Sequence, residues 1–410
     1  MIQNLHHLHD DLRRLFQTPV SPFLGAALLA LAVITLMAGG THWGVFGGLR
    51  TLGDGINHLF GLNLLLGLPD APFSPLHQPI LISDVALIVG AMSAALIAGN
   101  HRLIRPPPME YLSGAFGGIL MGLGAAMAGG CTVGGFFTPL TFFSPSGWMM
   151  GIGLMAGAAI GIRLLLWAME HLPWGKAPVP LGQNERWKTI APRLGWTLLA
   201  LTLSCGMILY RQKEAYGTLG LTLLVALFIG IILQRSRLCF SKAIREPFMT
   251  ADGQHAKAVM LLLALVTPAA ALLLQQGILT PYTVIPPRFW LGSLLGGICF
   301  GIGMVFAGGC ATSTLWRLAE GNLKMLSTLF FFSWSGSVSH ALLTHAGWNE
   351  RRYDLDFLDA IPAITDLGYQ AFLPDLTPGW GMTLAITYGM LLAWYLLVRD
   401  NERSERFTVF

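Results

Sequence analysis

The sequence predicts an all-α polytopic membrane protein of about nine to ten transmembrane helices plus half-helices, built as two inverted pseudo-twofold repeats. Three observations predict it. Hydrophobic residues make up 54% of the 410 residues and charged ones only 11%, where soluble domains carry about 25%. Apolar stretches long enough to span a bilayer recur near 22–40, 79–99, 112–130, 146–168, 195–211, 216–234, 256–277, 289–307, 323–344 and 379–398. Residues 117–131 (GGILMGLGAAMAGGC) return as residues 296–310 (GGICFGIGMVFAGGC), identical at nine of fifteen positions.

From the N-terminus, the polar run MIQNLHHLHDDLRRLF leads straight into the first span, so no cleavable signal peptide is expected, and His6, His7 and His9 read as a solvated tail. Pro106-Pro107-Pro108 reads as a stiff turn between spans. Segment 170–194 is polar and broken by proline. It reads as a cytoplasmic linker between a first repeat half (1–169) and a second (195–410). Ten spans with both termini cytoplasmic place nineteen of the twenty-five Lys and Arg residues inside. Only Arg50, Arg211, Lys213, Arg288, Arg351 and Arg352 fall outside, with the Asp-rich 345–378 loop. That bias is the one expected of a multi-pass protein of the inner membrane. The net charge of +4 and the lack of a basic array give no sign of nucleic-acid binding.

This topology sends the span before Cys131 outward and the span before Cys310 inward, so the duplicated segments run in opposite directions. Inverted repeats are typical of secondary transporters, whose site lies near the bilayer midplane where interrupted helices meet. The candidate site residues are therefore Gly129, Gly130, Cys131 and Thr132 in one copy and Gly308, Gly309, Cys310, Ala311 and Thr312 in the other. Paired glycines favour a break in each helix. The freed N–H groups suit an anion, and the duplication is expected to bring two thiols to one place. Neutral thiols are weak donors with a soft, polarisable atom, so a line of them holds an anion loosely enough to release it. In the Gly114–Gly124 stretch, close helix packing is the better reading of the glycines.

Cys205 and Cys299 sit in apolar runs and read as packing, whereas Cys239 lies among cations in QRSRLCFSK (234–242), at the end of a span. No Cys/His spacing suggests zinc, and no haem pair, Walker loop or dinucleotide fingerprint is present, so no cofactor is expected. His340 falls inside a span with no partner at helical spacing. Asp84, near the start of a span, is the nearest candidate for an ion path but reads as facing the outer interface.

Three segments, QRSRLCFSKAIRE (234–246), GIGMVFAGGCATSTLWRLAEG (301–321) and GILMGLGAAMAGGCTVGG (118–135), resemble the YeeE/YedE family of membrane proteins, which handle sulfur compounds and include thiosulfate importers. The likeness extends loosely over residues 80–400. It implies an hourglass-shaped helical protein in which Cys131, Cys310 and Cys239 relay thiosulfate, with delivery to a cytoplasmic sulfur-carrier protein. Two departures bear on the substrate. The half with the QRSRLCFSK element comes second, as in the YedE-like branch associated with selenium metabolism, and Ser313 stands where the family often has Gly.

The expected activity is import of thiosulfate or a related sulfur-containing anion, not enzymatic catalysis. Two alternatives are a selenium-compound transporter and a membrane thiol relay that passes persulfide sulfur onward. A structural subunit, in which both repeated cysteines are dispensable, is a third.

Overall fold

Proline and glycine set the ends of the first-half helices. Proline occupies the first turn, where its missing N–H costs nothing, in α1 (Pro22–Ala38), α3 (Pro79–Ala98), α4 (Pro108–Ala128) and α5 (Pro145–His171). A half-length helix, α2 (Phe46–Leu59), lies between the first two of these. After the linker come α6 (Glu185–Arg211), α7 (Gly217–Ser236), α8 (Phe240–Thr250), α9 (Gln254–Gln275), α10 (Leu291–Ala307), α11 (Ala311–Ala319), α12 (Lys324–His345) and α13 (Trp380–Ser404). This computed structural model describes residues 16, 18–67, 78–173, 179–180, 185–212, 216–347 and 369–408. The His6, His7 and His9 tail, residues 174–178 and 181–184 of the linker, Lys213, Arg351, Arg352 and most of the 345–378 loop lie outside the described residues.

The protein is an all-α polytopic membrane protein. Among the described residues, eight helical segments are long and apolar enough to cross a membrane. The seventeen-residue α1 and the Ser-rich α12 complete the ten stretches read from sequence. Two-residue strands, Ile104–Arg105 and Val179–Pro180, pair antiparallel and tie the turn after α3 to the linker. Helix α6 begins well before the stretch expected at 195, because Pro192 is accommodated inside it.

Packing between the halves is reciprocal. Helix α1 packs on α9 and α7 on α3; α4 packs on α12 and α10 on α5; α2 packs on α12 and α8 on α5. At the centre, α4 crosses α10 and α1 crosses α7. Glycine makes the central crossing possible. A Cβ at Gly124 would lie 2.5 Å from the Gly296 carbonyl oxygen, and one at Gly303 2.7 Å from that of Gly117. With no side chain between them, the two backbones pack directly, the expected use of small residues where lipid supplies no hydrophobic drive. The close-packing reading of Gly114–Gly124 holds along α4, whose Gly118 and Gly122 meet the backbone of α12.

Candidate functional site: paired thiols at converging half-helices

Both Gly-Gly-Cys segments break their helices in the same way. Gly129 ends α4 with φ 81° and Gly308 ends α10 with φ 78°, a left-handed conformation that glycine adopts without steric cost. The following cysteines are extended, Cys131 at φ −75°, ψ −168° and Cys310 at φ −82°, ψ 173°, and each is the N-cap of a new helical segment. After Cys131 this segment is a π-turn, Thr132–Phe137, running into Thr138–Thr141; after Cys310 it is α11. Cys239 is the third such N-cap, heading α8 after Arg237 turns the chain at φ 55°.

Each thiol therefore sits where helix N-termini converge. The N–H groups of Val133 and Gly134 and that of Phe46, the first residue of α2, face the Cys131 sulfur. At the other end, the Cys239 and Cys310 thiols face each other beside Ser313, whose hydroxyl donates to the Cys310 carbonyl at 3.0 Å. The N–H of Lys242 in α8 faces Cys239, and the N–H of Ser313 in α11 faces Cys310. Unsatisfied N–H groups and the positive end of the helix dipole make each place hospitable to an anion.

All three thiols are buried, Cys131 and Cys310 at 0% exposure and Cys239 at 5%. Cys239, although it lies among cations at the end of a span, is thus not accessible, because its position as N-cap turns it inward onto Cys310. The expectation that the duplication brings its own two thiols together is corrected. Among the described residues Cys310 faces Cys239, while the Phe46 N–H of α2 faces Cys131. Cys205 is exposed on α6, not packed, and Cys299 is half-buried. Between the two thiol sites, Trp43, Phe137 and Phe240 form a buried triangle of rings with centroids 5.8 to 6.2 Å apart.

Cations face both Gly-Gly turns. A Cβ on Gly129 would come within 2.6 Å of Arg288 Nη1, and one on Gly308 within 3.7 Å of Arg317 Nη1 and 3.9 Å of Lys324 Nζ. Arg317 donates to the Gly308 carbonyl at 2.5 Å. A cavity of about 450 Å³ opens onto Gly129 and Gly130, lined also by His42, Arg50, Arg288 and His340. Arg50 donates to His340 Nε2 at 2.7 Å, the partner for His340 that helical spacing did not reveal. The wall that carries Arg288 is fixed by Gln370, which donates to the Tyr282 and Ile285 carbonyls at 2.9 and 2.6 Å. On the Cys239–Cys310 side, Glu320 accepts from Gln234 at 2.9 Å and pairs with Arg237 at 2.7 Å.

Residues 6–160 and 235–408 match the family model for Sulphur transport. The chain belongs to the Sulphur transport family. Within it, the chain is similar to the probable transporter YedE of Escherichia coli strain K12, 26% identical over 402 residues that cover 95% of this chain and 93% of that relative. YedE of Salmonella typhimurium is 27% identical over 322 residues, 75% of this chain and 77% of the relative. A shorter region matches the thiosulfate transporter TsuA of Spirochaeta thermophila, 38% identical over 109 residues, 27% of this chain and 31% of TsuA.

Sequence reasoning about this Sulphur transport family member missed α2 and the cations that face the two Gly-Gly turns. A signal for α2 was present: Ala38-Gly39-Gly40 is a third copy of the Ala-Gly-Gly that precedes Cys131 and Cys310, and Val45-Phe46 matches Cys239-Phe240 at the N-cap. The cations come from separate loops and helices, so no spacing announces them. Asp84 was also misplaced. It is 2% exposed, beneath Gly48 of α2, and does not face an interface.

His42 gives the cavity a pH signature. Burial holds its imidazole below the ordinary histidine value. As pH falls past that ordinary value of about 6.5, the unfolded chain takes up this proton before the folded one does, so stability falls with acidification and the effect is absent above it. Thermal stability of the wild type should therefore decline more steeply between about pH 7 and pH 5 than that of His42→Gln. Parallel acid limbs would refute the assignment.

Proposed function

We propose that the protein imports thiosulfate or a related sulfur-containing anion across the inner membrane, along a pathway lined by Cys131, Cys239 and Cys310. The observation that carries this reading is the convergence of half-helix N-termini on each thiol, with arginine at each Gly-Gly turn. Anions enter from outside through the cavity at Arg50 and Arg288, pass Gly129, Gly130, Cys131 and Thr132, and leave past Gly308, Gly309, Cys310, Ala311, Thr312 and Cys239. The cations concentrate the anion at either mouth, and the weak S–H donors hold it loosely between them. Reciprocal packing supports two inverted repeats, residues 1–169 and 195–410 about the 170–194 linker, and the Lys and Arg bias supports both termini being cytoplasmic. The name of TsuA supports thiosulfate. Moving a dianion toward a negative interior costs about 4.6 kcal/mol per 100 mV, twice the single-charge figure, so import needs a driving reaction or a consumer inside. A cytoplasmic sulfur-carrier protein is the consumer that fits this reading.

Uptake of labelled thiosulfate into cells lacking their own importers tests the proposal. Wild type should accumulate label, and Cys131→Ala and Cys310→Ala should each abolish accumulation. Uptake that persists without either thiol would make the cysteines scaffold. A wild type that takes up a labelled selenium oxyanion but no thiosulfate would move the substrate to selenium.

The facing Cys239 and Cys310 thiols favour one further reading, a thiol relay that takes sulfane sulfur from thiosulfate as a persulfide, releasing sulfite, and passes it on. Intact-protein mass spectrometry after incubation with thiosulfate separates the two, because only the relay adds sulfur to the protein.

A further inference from the structure

We propose that Asp84 is the proton-carrying group that couples anion movement past Cys131 to proton movement, an inference that rests on the transport reading above. Asp84 lies in α3, 2% exposed, and neither carboxyl oxygen has a hydrogen-bond partner among the described residues. A buried carboxylate with no donor and no cation is very unfavourable, whereas the neutral acid is tolerated, so the group holds a proton at rest. Its place is specific. Gly48, in the first turn of α2, packs on Asp84 with no room for a Cβ, and the Phe46 N–H of that same turn faces Cys131. Asp84 is close enough for its charge to act on the Cys131 thiol.

The charged groups on the neighbouring elements are engaged or distant. On α2, Arg50 bonds His340 and Asp54 accepts from Ser337 at 2.5 Å, with His58 a further turn on. Helix α7 carries only Arg235, at its far end, bonded to Thr18. Helix α6 carries Lys188 and Arg193 at one end and Arg211 at the other. The Arg317 side chain of α11 is held by Gly308. The equivalent helix of the second half, α9, contains no carboxylate, so the repeat does not require one for folding.

The step balances simply. As the anion passes Cys131, the Asp84 O–H bond breaks and the proton passes to a water molecule, which leaves inward as hydronium with the anion. The carboxylate left behind takes a proton from a hydronium ion that enters by the outer cavity beside Gly129 and Gly130, leaving water. One proton crosses per cycle, offsetting one charge of the dianion.

The full chain would be reconstituted in liposomes with the voltage clamped by potassium and valinomycin. Labelled thiosulfate uptake would be compared with and without an acid-outside pH gradient. The gradient should stimulate uptake by the wild type and by Asp84→Glu, and the stimulation should be lost in Asp84→Asn. Stimulation that survives in Asp84→Asn, or is absent in the wild type, overturns the proposal. Liposomes that carry no thiosulfate at all would sink the transport reading, and infrared spectroscopy then decides on Asp84. A protonated-carboxyl band present in the wild type, lost in Asp84→Asn and shifted by added thiosulfate upholds the assignment. No such band overturns it. Gel filtration of both variants checks that they fold.

Discussion

Gly124→Leu and Gly303→Leu should each prevent recovery of folded protein, while Gly389→Leu should be silent. At the first two positions a Cβ already meets backbone atoms of the facing helix at 2.5 to 2.7 Å, and backbone cannot rotate away as a side chain can. Leucine would force α4 and α10 apart and disturb the packing of α12 and α5 against them. Overpacking alone costs about 1–3 kcal/mol, and here the strain falls on the crossing that both halves share. Gly389, on α13, would have nothing within 4 Å of an added Cβ, so leucine there costs nothing in packing and gains up to about 1 kcal/mol of helix propensity. Size-exclusion profiles and thermal unfolding in detergent read out the difference. Folded Gly303→Leu protein with a wild-type profile would mean that the crossing is looser than the backbone distances indicate.

The second large effect concerns entry. On the import reading proposed above, Arg50→Ala combined with Arg288→Ala should slow thiosulfate uptake by at least about tenfold at low ionic strength, and by much less at high salt. Both arginines line the cavity that opens onto Gly129 and Gly130, where low-dielectric walls focus their field on an arriving anion. Salt screens such steering within about 10 Å at 0.1 M, so the variant and the wild type should converge as salt rises. Initial rates measured across a salt series give the answer. A rate deficit independent of salt would instead point to a local structural role, through the Arg50–His340 bond.

Much of this was legible in the sequence, and the reasons are physical. Ten apolar stretches became ten helices because a chain in lipid has no other way to satisfy its backbone. The breaks at Cys131 and Cys310 were legible because paired glycines are costly inside a helix and valuable at a left-handed turn. Helix α2 was not, since its fourteen residues include Arg50, Asp54, Asn57 and His58 and read as a polar loop until packed against α12. The thiol partnership was misjudged for a different reason. Sequence identity pairs Cys131 with Cys310, but spatial equivalence pairs each with the cap of a short helix from its own half: Cys239 for Cys310, and Val45 for Cys131. Asp84 was misplaced because five residues into a span is near an interface by count, while the overlying α2 seals it away.

The reciprocal packing of the halves has a mechanical consequence. Because α4 lies against α12 and α10 against α5, each half grips the other through helices that belong to both interfaces, and no plane divides the molecule into two sliding bodies. A rocking cycle would have to part glycine-seated backbones at several crossings together. That frame encloses four largely buried chain turns, residues 43–46, 131–134, 238–242 and 310–313. On the transport reading proposed above, passage is expected to need small local shifts at these turns and not the sliding of one half past the other.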